Sequence, residues 1–203
     1  MITLHHSPRS RSMRVVWYCE EVGIDLQLEP VEMFSEAMKR RDYLAIHPLG
    51  KVPAIEDGDF VLWETTAILQ HLDAKYAGGA LIPSPGSERG AEALQWMGYG
   101  ENPLTVIMGE IAAHSGPMPA ASRIPALVER GREIAPSLVD VVERALGDRR
   151  WILGDDFSAA DIMLVYGLSI AEFLGFVNDD TPRARAYCAR GMERPAFQRA
   201  ALL

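Results

Sequence analysis

Three serines lie close together in the segment SPRSRS, residues 7–12, which leads into a helix-like pattern. Ser7, Ser10 and Ser12 thus sit beside a predicted helix start, where exposed N–H groups and the positive dipole end favour an anion. A hydroxyl there can donate a hydrogen bond to a thiolate, and a thiol pKa lowered by about two units corresponds to about 2.7 kcal/mol. The alternative is that the serines only cap the helix and shape the turn. We expect capping for Ser12 and leave both roles open for Ser10.

A second candidate feature is the Val52-Pro53 step, which stands where the pattern predicts the start of a strand. Proline cannot donate to a sheet ladder, so it belongs at an edge, a strand start or a bulge. If this bond is cis, the backbone N–H and C=O of Val52 are left unpaired and could pair with an extended peptide. The sequence alone does not establish a cis bond, because few X-Pro bonds adopt it.

Glu64 and Thr65 open the next predicted helix and form a third candidate feature. Thr65 can offer its hydroxyl and its backbone N–H to a carboxylate, as helix N-termini commonly do. Glu64 can accept from an ammonium group, so the pair suits the head group of an amino acid. The alternative is an ordinary threonine cap with an acidic neighbour.

The elements that must position these residues follow from the periodicity of the first 80 or so residues. Alternation predicts strands at residues 2–5 and 26–28, and an amphipathic helix lies between them, so a parallel βαβ unit is expected. A weaker helix is predicted over residues 35–44. Asp57-Gly58 predicts a tight hairpin turn, and residues 65–76 predict a last helix. The order βαβαββα is that of a thioredoxin-like α/β domain.

The second part of the chain is predicted to be entirely helical. The glycine- and proline-rich segment AGGALIPSPGSERG marks the boundary, so we expect domains at 1–79 and 88–203 with a linker at 80–87. Long helices are predicted over residues 89–113 and 124–146, with Pro103 and Pro136 expected to bend or split them. Ser158 and Asp161 predict a capping box at the start of a further helix, and two shorter helices end the chain.

Redox and metal chemistry find no support in the sequence. No Cys-x-x-Cys pair follows the first strand, and Cys19 is expected to be a small buried hydrophobe. His5 and His6 are neighbours on a strand and therefore point to opposite faces, which makes a poor chelate. We predict no metal site.

The composition limits the classes of binding partner that we expect and indicates a cellular compartment. The net charge of -8 disfavours nucleic acid and anionic membrane surfaces as partners. No apolar run reaches the length needed to cross a bilayer, and the first residues do not resemble a secretory signal. Two cysteines far apart in the chain fit a reducing compartment, so we expect a cytoplasmic protein.

Three segments together resemble those of the cytosolic glutathione transferases, and the resemblance covers essentially the whole chain. They are SPRSRSMR after the first strand, HPLGKVPAIEDGDFVLWETTAIL in the middle and FSAADIMLVY in the helical part. The middle motif is the specific one. The spacing from Ser10 to Arg14 is similar to that of the active serine in the theta-like and phi-like classes, and the loop resembles the SRS variants of bacterial and fungal members.

The resemblance implies a site and a reaction. It implies a cis Pro53, with the backbone of Val52 pairing with the cysteinyl part of glutathione, while Glu64 and Thr65 hold the γ-glutamyl group and Lys51 contacts the tripeptide. It makes Ser10 the preferred catalytic residue, with Ser12 as the second choice. The implied reaction conjugates the glutathione thiolate, as co-substrate, to an apolar electrophile in a cleft between the domains, a detoxification chemistry. A homodimer is also implied.

Two other functions remain open from the sequence. The fold also serves non-catalytic modules that bind glutathione, other ligands or proteins, and fold alone does not decide between them. A glutathione-dependent peroxidase or mixed-disulfide reductase would share the anchoring site and differ only in the acceptor.

Overall fold

The computed structural model describes all residues, Met1–Leu203, and the chain divides into two compact units. The first comprises Met1–Leu81 together with Arg194–Leu203, and the second comprises Ile82–Glu193. The expected domains, 1–79 and 88–203, differ from this division in two places. The expected linker at 80–87 is divided between the units after Leu81, and the last ten residues belong to the first unit.

A mixed four-stranded sheet with three helices forms the body of the first unit. The strands are β1 (Ile2–His6), β2 (Leu26–Pro30), β3 (Ala54–Asp57) and β4 (Phe60–Trp63), and the helices are α1 (Met13–Val22), α2 (Arg41–Ile46) and α3 (Thr65–Leu72). The strand order is β2-β1-β3-β4, with β1 parallel to β2 and antiparallel to β3. The predicted order βαβαββα and the parallel βαβ unit are confirmed.

Helix α1 is buried on more than the single face that its apolar pattern predicts. Val15 and Val16 lie on the predicted apolar face, but Trp17 and Tyr18 are also fully buried. A terminal helix, α9 (Pro195–Ala200), covers the other side of α1, where the Trp17 and Phe197 rings meet edge to face at 4.9 Å. This packing explains why the end of the chain belongs to the first unit.

Two local predictions in the first unit were wrong in detail. The helix expected over residues 35–44 is a short 3-10 turn, Glu36–Lys39, followed by α2, since Arg40 between them is extended. The hairpin loop is formed by residues 58 and 59, one position later than expected, because Asp57 pairs with Phe60 as the last residue of β3. Gly58 supplies the positive φ that this turn requires.

Asp57 ties α3 to the hairpin and so fixes the helix whose start carries Thr65. Its carboxylate accepts hydrogen bonds from His71 Nε2 at 2.7 Å, Lys75 Nζ at 2.6 Å and Tyr76 Oη at 2.5 Å. The bond from Lys75, followed by that from Tyr76, holds the pKa of Asp57 well below its ordinary range. Asp57 therefore stays ionised and keeps the two elements joined over the physiological pH range.

The second unit consists of helices α4 (Glu88–Tyr99), α5 (Val106–Ser115), α6 (Pro125–Leu146), α7 (Ala159–Phe173) and α8 (Pro182–Met192). The predicted interruption of the first long helix is confirmed, with Asn102 non-helical at φ -136°. The second long helix instead continues through Pro136 as one element of 22 residues. The capping box at Ser158 is present. None of the helices combines the length and the apolar composition that crossing a bilayer requires.

Candidate active site

Residues 7–12, here called the serine loop, connect β1 to α1. Ser10 lies in this loop and is largely, but not completely, buried. Ser10 Oγ lies 2.7 Å from the carbonyl oxygen of Ser7 and 2.7 Å from Ser12 Oγ. Ser10 is 9% exposed, whereas Ser12 is fully buried. Of the two serines predicted from the sequence, only Ser10 presents any surface to a ligand.

Ser12 does not cap α1 with its side chain, and the capping expectation for this residue was wrong. Its φ and ψ are already helical, and its hydroxyl makes no capping hydrogen bond. Instead Ser12 Oγ lies 2.8 Å from His6 Nδ1 and accepts a hydrogen bond from the Ser7 N–H at 3.1 Å. Burial lowers the pKa of His6, with the Leu203 backbone opposing the shift, so the ring is neutral at pH 7.

Arg14 links the serine loop to the start of α3. The residue is fully buried, and its Nη2 donates to Thr65 Oγ1 at 2.9 Å while its Nε donates to the Arg11 carbonyl at 3.3 Å. Sequence reasoning used Arg14 only as a spacing marker for Ser10. Its contact with a residue 51 positions away had no local signal.

The Val52-Pro53 step has the geometry that the sequence left open. The peptide bond is cis, and neither the N–H nor the C=O of Val52 makes a hydrogen bond within the chain. The Val52 side chain is 7% exposed and belongs to a small apolar cluster with Val31 and Met38. The adjacent Lys51 is exposed, and its carbonyl oxygen accepts from Tyr43 Oη at 2.7 Å. A buried side chain thus holds a backbone segment with unused donor and acceptor groups.

Glu64 and Thr65 form a strained entrance to α3. Glu64 is exposed and has φ 74°, a conformation that costs a non-glycine residue of order 1–3 kcal/mol and that clusters at functional sites. Thr65 is 2% exposed and is the first residue of the helix. The N–H groups of this first turn have no intrahelical acceptor, so they are available to an anion.

His47 is a neighbour of this site that sequence reasoning did not assign a role. Its ring is 4% exposed and lies 5.4 Å from the Trp63 ring, centroid to centroid. Burial lowers the pKa of His47, the Glu64 carboxylate opposes this shift and Lys51 reinforces it. His47 is therefore within electrostatic reach of both Lys51 and Glu64. The sequence held no signal for this, because a lone histidine before a proline fits many loops.

Comparison with known proteins identifies the family. The model of the glutathione S-transferase N-terminal domain matches residues 4–80, and that of the C-terminal domain matches residues 125–190. Glutathione S-transferase PARB of Nicotiana tabacum is 32% identical over 97% of this chain and 95% of its own length. This chain belongs to the glutathione S-transferase family.

Solved glutathione transferases share the fold over the whole chain. A glutathione transferase from Methylococcus capsulatus is 27% identical with a TM-score of 0.85, covering 100% of this chain and 98% of its own. Glutathione S-transferase-I bound to lactoylglutathione is 25% identical with a TM-score of 0.83, covering 99% and 98%. The predicted superfamily, fold class and glutathione transferase function are confirmed. No three His, Cys, Asp or Glu side chains of this transferase are grouped to hold a metal ion.

Proposed function

We propose that this glutathione transferase is of the serine-using type and binds glutathione along the edge formed by Val52 and the start of α3. The observation that carries the proposal is the pair of unused backbone groups of Val52, found in the same unit as Ser10 and Thr65. An extended tripeptide has the matching donor and acceptor at its central residue.

The γ-glutamyl end of glutathione is assigned to Glu64 and Thr65. Glu64 accepts from the ammonium group, and the first N–H groups of α3 receive the carboxylate. Because Arg14 donates to Thr65 Oγ1, the proton of the Thr65 hydroxyl remains available for that carboxylate. Arg14 thereby orients a binding residue from the buried side.

The cysteinyl and glycyl parts are assigned to Val52 and Lys51. Val52 pairs its N–H and C=O with the cysteinyl backbone, next to the cis Pro53. The exposed ammonium group of Lys51 contacts the tripeptide and complements its glycyl carboxylate. These contacts place the sulfur near the serine loop.

Ser10 is assigned the chemical role. Its hydroxyl donates to the glutathione sulfur and stabilises the thiolate after the thiol proton has passed to solvent. The thiolate then attacks the carbon of an apolar electrophile, a sulfur–carbon bond forms, and the leaving group takes the electron pair of the broken bond. Catalysis consists of positioning together with activation of the nucleophile.

The test is a calorimetric titration with glutathione followed by a conjugation assay with chlorodinitrobenzene. The proposal expects saturable binding and release of chloride that depends on both substrates. A protein that does not bind glutathione in this titration would contradict the proposed binding site. Binding without conjugation would favour the non-catalytic module, and oxidation of glutathione by a hydroperoxide would favour the peroxidase or reductase.

Replacing Glu64 with alanine is expected to weaken glutathione binding about 10- to 100-fold, since a hydrogen bond to a charged group contributes roughly 1.5–3 kcal/mol. Calorimetric Kd values measure the change. Asp59→Ala, an exposed acidic residue of the β3–β4 turn, is the control and keeps the wild-type Kd.

Glu64→Gly separates the carboxylate from the backbone strain. It loses the same binding contact, but glycine tolerates the positive φ, so its thermal midpoint should exceed that of Glu64→Ala. An alanine variant with the wild-type Kd would reject the assignment of Glu64.

We also propose that the protein forms a homodimer, that it is cytoplasmic and that its role is detoxification. The exposed Phe60, Val61 and Trp63 on the edge strand β4 give the first unit an apolar surface that a second copy could cover. The free, buried Cys19 and Cys188 suit a reducing compartment. Light scattering of the purified protein tests the dimer, and the mass of a single chain would reject it.

A further inference from the structure

A tight turn, residues 47–50, leads directly into Lys51 and Val52. The Gly50 N–H donates to the His47 carbonyl oxygen at 2.8 Å, which closes the turn with His47 in its first position. We propose that the uncharged His47 side chain is a positioning residue, which holds this turn in the shape that presents Val52 to glutathione and releases it when the ring takes up a second proton. This role rests on the proposed function, because Val52 is assigned there to the cysteinyl backbone.

The His47 ring makes a hydrogen bond inside the turn. The Leu49 N–H donates to His47 Nδ1 at 3.2 Å. Asparagine and aspartate side chains make the same bond, to the N–H two residues on, at the first position of such turns. Histidine makes it only when Nδ1 carries a lone pair, so the single proton of the neutral ring is on Nε2. A ring protonated on both nitrogens has no acceptor, and its Nδ1–H faces the Leu49 N–H.

The turn is packed closely against the segments that carry the binding backbone. Gly50 has φ 56°, and a Cβ at this position would overlap the Met38 carbonyl oxygen. The Met38 side chain lies in the same apolar cluster as that of Val52. Tyr43 Oη holds the Lys51 carbonyl oxygen at 2.7 Å. A change in the turn therefore acts on the backbone of residues 51 and 52, which follows it directly.

The surroundings of the ring keep it uncharged at pH 7. His47 is 4% exposed, and burial lowers its pKa, while the Glu64 carboxylate opposes this shift and Lys51 adds to it. The Trp63 ring, from β4, lies 5.4 Å away and carries no charge. Tyr43, from α2, accepts the His47 N–H on its carbonyl oxygen at 2.9 Å, and burial raises the pKa of its phenol to about 12, so it is also uncharged.

The direction of the pH effect follows from the hydrogen bond to Leu49. Glutathione binds the form with the neutral ring, so its affinity should fall as the pH drops through the pKa of His47. In the proposed site the ligand pairs with Glu64 and with Lys51, and these two pairings shift the ring pKa in opposite directions. The Leu49 bond therefore sets the sign. Because coupling is reciprocal, bound glutathione should in turn lower the pKa of the ring.

The experiment compares the wild type with His47→Asn and His47→Leu by calorimetric titration with glutathione between about pH 5 and pH 8. The asparagine oxygen accepts the Leu49 N–H and does not titrate. His47→Asn should therefore match the wild-type Kd near the upper limit and bind about three- to tenfold more tightly than the wild type near the lower one, the range expected for one neutral hydrogen bond. The ratio of the two Kd values at each pH cancels the titration of glutathione itself and of Glu64.

Leucine at this position offers no acceptor at any pH. His47→Leu should bind glutathione about three- to tenfold more weakly than His47→Asn across the whole range, with a constant ratio. A residue that only fills space would instead give leucine and asparagine variants whose Kd values both keep the pH profile of the wild type.

A matched control and a direct measurement of the ring complete the test. His114 Nδ1 also accepts a backbone N–H, that of Ile124 at 3.0 Å, but this histidine lies on α5 in the second unit. His114→Asn should keep the wild-type profile of Kd against pH. Proton NMR of the His47 ring, assigned by the signals that His47→Asn lacks, reports the ring pKa. Saturation with glutathione should lower that pKa by about half a unit to one unit, which matches the three- to tenfold change in Kd.

The outcomes separate the role of His47 from the function on which it rests. A wild-type to His47→Asn ratio of Kd that stays constant with pH, or a ring pKa that glutathione does not change, would overturn this role. A wild-type protein that binds no glutathione at any pH would instead remove the proposed function. Thermal melting checks each variant, and if His47→Leu does not fold, the asparagine comparison and the ring titration still decide the question.

Discussion

Ser10→Ala is expected to conjugate glutathione about 100-fold more slowly than the wild type near neutral pH while binding glutathione almost unchanged. Removing one preorganised donor to a developing anion typically costs 10²–10³ in rate, and two units of thiol pKa give about the same factor in thiolate fraction. The proposed binding mode has the tripeptide's backbone contacts at Val52 and the start of α3, so we expect Kd to stay near the wild-type value while kcat falls. Stopped-flow conjugation and calorimetry measure the two quantities.

The rate difference between the wild type and Ser10→Ala is expected to change with pH in one direction. The proposed role of Ser10 gives the bound thiol a lower pKa in the wild type than in the variant, so the ratio of the two rates should be largest at pH values below the wild-type thiol pKa. The gap should close at pH values above both pKa values, where the sulfur is ionised in either protein. A gap that stays constant with pH would contradict thiolate stabilisation.

Ser35→Ala is the matched control for Ser10→Ala. Ser35 Oγ also donates to a carbonyl oxygen three residues earlier, that of Glu32, at 2.7 Å. It lies outside the serine loop, and its loss removes the same local contact without touching the sulfur. Wild-type kcat is expected for Ser35→Ala, and an equal loss in both variants would show that the rate loss is not specific to a donor at the sulfur.

The largest stability effect is expected at Asp161, in the second unit. The residue is fully buried at the first turn of α7, and its carboxylate accepts four hydrogen bonds. The donors are the Ile152 N–H at 2.9 Å, Tyr187 Oη at 2.7 Å, and the Ser158 N–H and Oγ, both at 2.8 Å. Burial, and then the Asp161 carboxylate, raise the pKa of Tyr187, so the phenol remains a donor.

Asp161→Ala should therefore lower the free energy of unfolding by roughly 3–4 kcal/mol, because buried donors from three segments lose their acceptor. Denaturant unfolding followed by circular dichroism measures the change. Asp156→Ala is the control, since that side chain is 83% exposed and pairs only with Arg89 at 3.2 Å. A loss at Asp161 below about 1 kcal/mol would show that these four bonds do not hold the three segments together.

Much of the fold could be predicted from the sequence because the relevant signals are local. Alternation, helical periodicity and the Ser158–Asp161 pair each act over a few residues and fix element type and order. The errors also fell at element edges: the helix expected over 35–44 gave way to a 3-10 turn and α2, and the hairpin turn moved by one residue. The sequence also indicated candidate site residues, because a helix start and a strand start at a proline each leave hydrogen-bonding groups unpaired. These candidates are Ser10, Val52, Glu64 and Thr65.

Only the tertiary structure decides which groups these residues and their neighbours contact. Ser12 binds His6 rather than capping α1, Arg14 reaches Thr65 across 51 positions, and α9 covers α1 from the far end of the chain. Such contacts join segments that are distant in the chain, so no local periodicity encodes them. They arise because burying a polar group is costly without a partner, and the partner is whichever group the packed fold brings within about 3 Å.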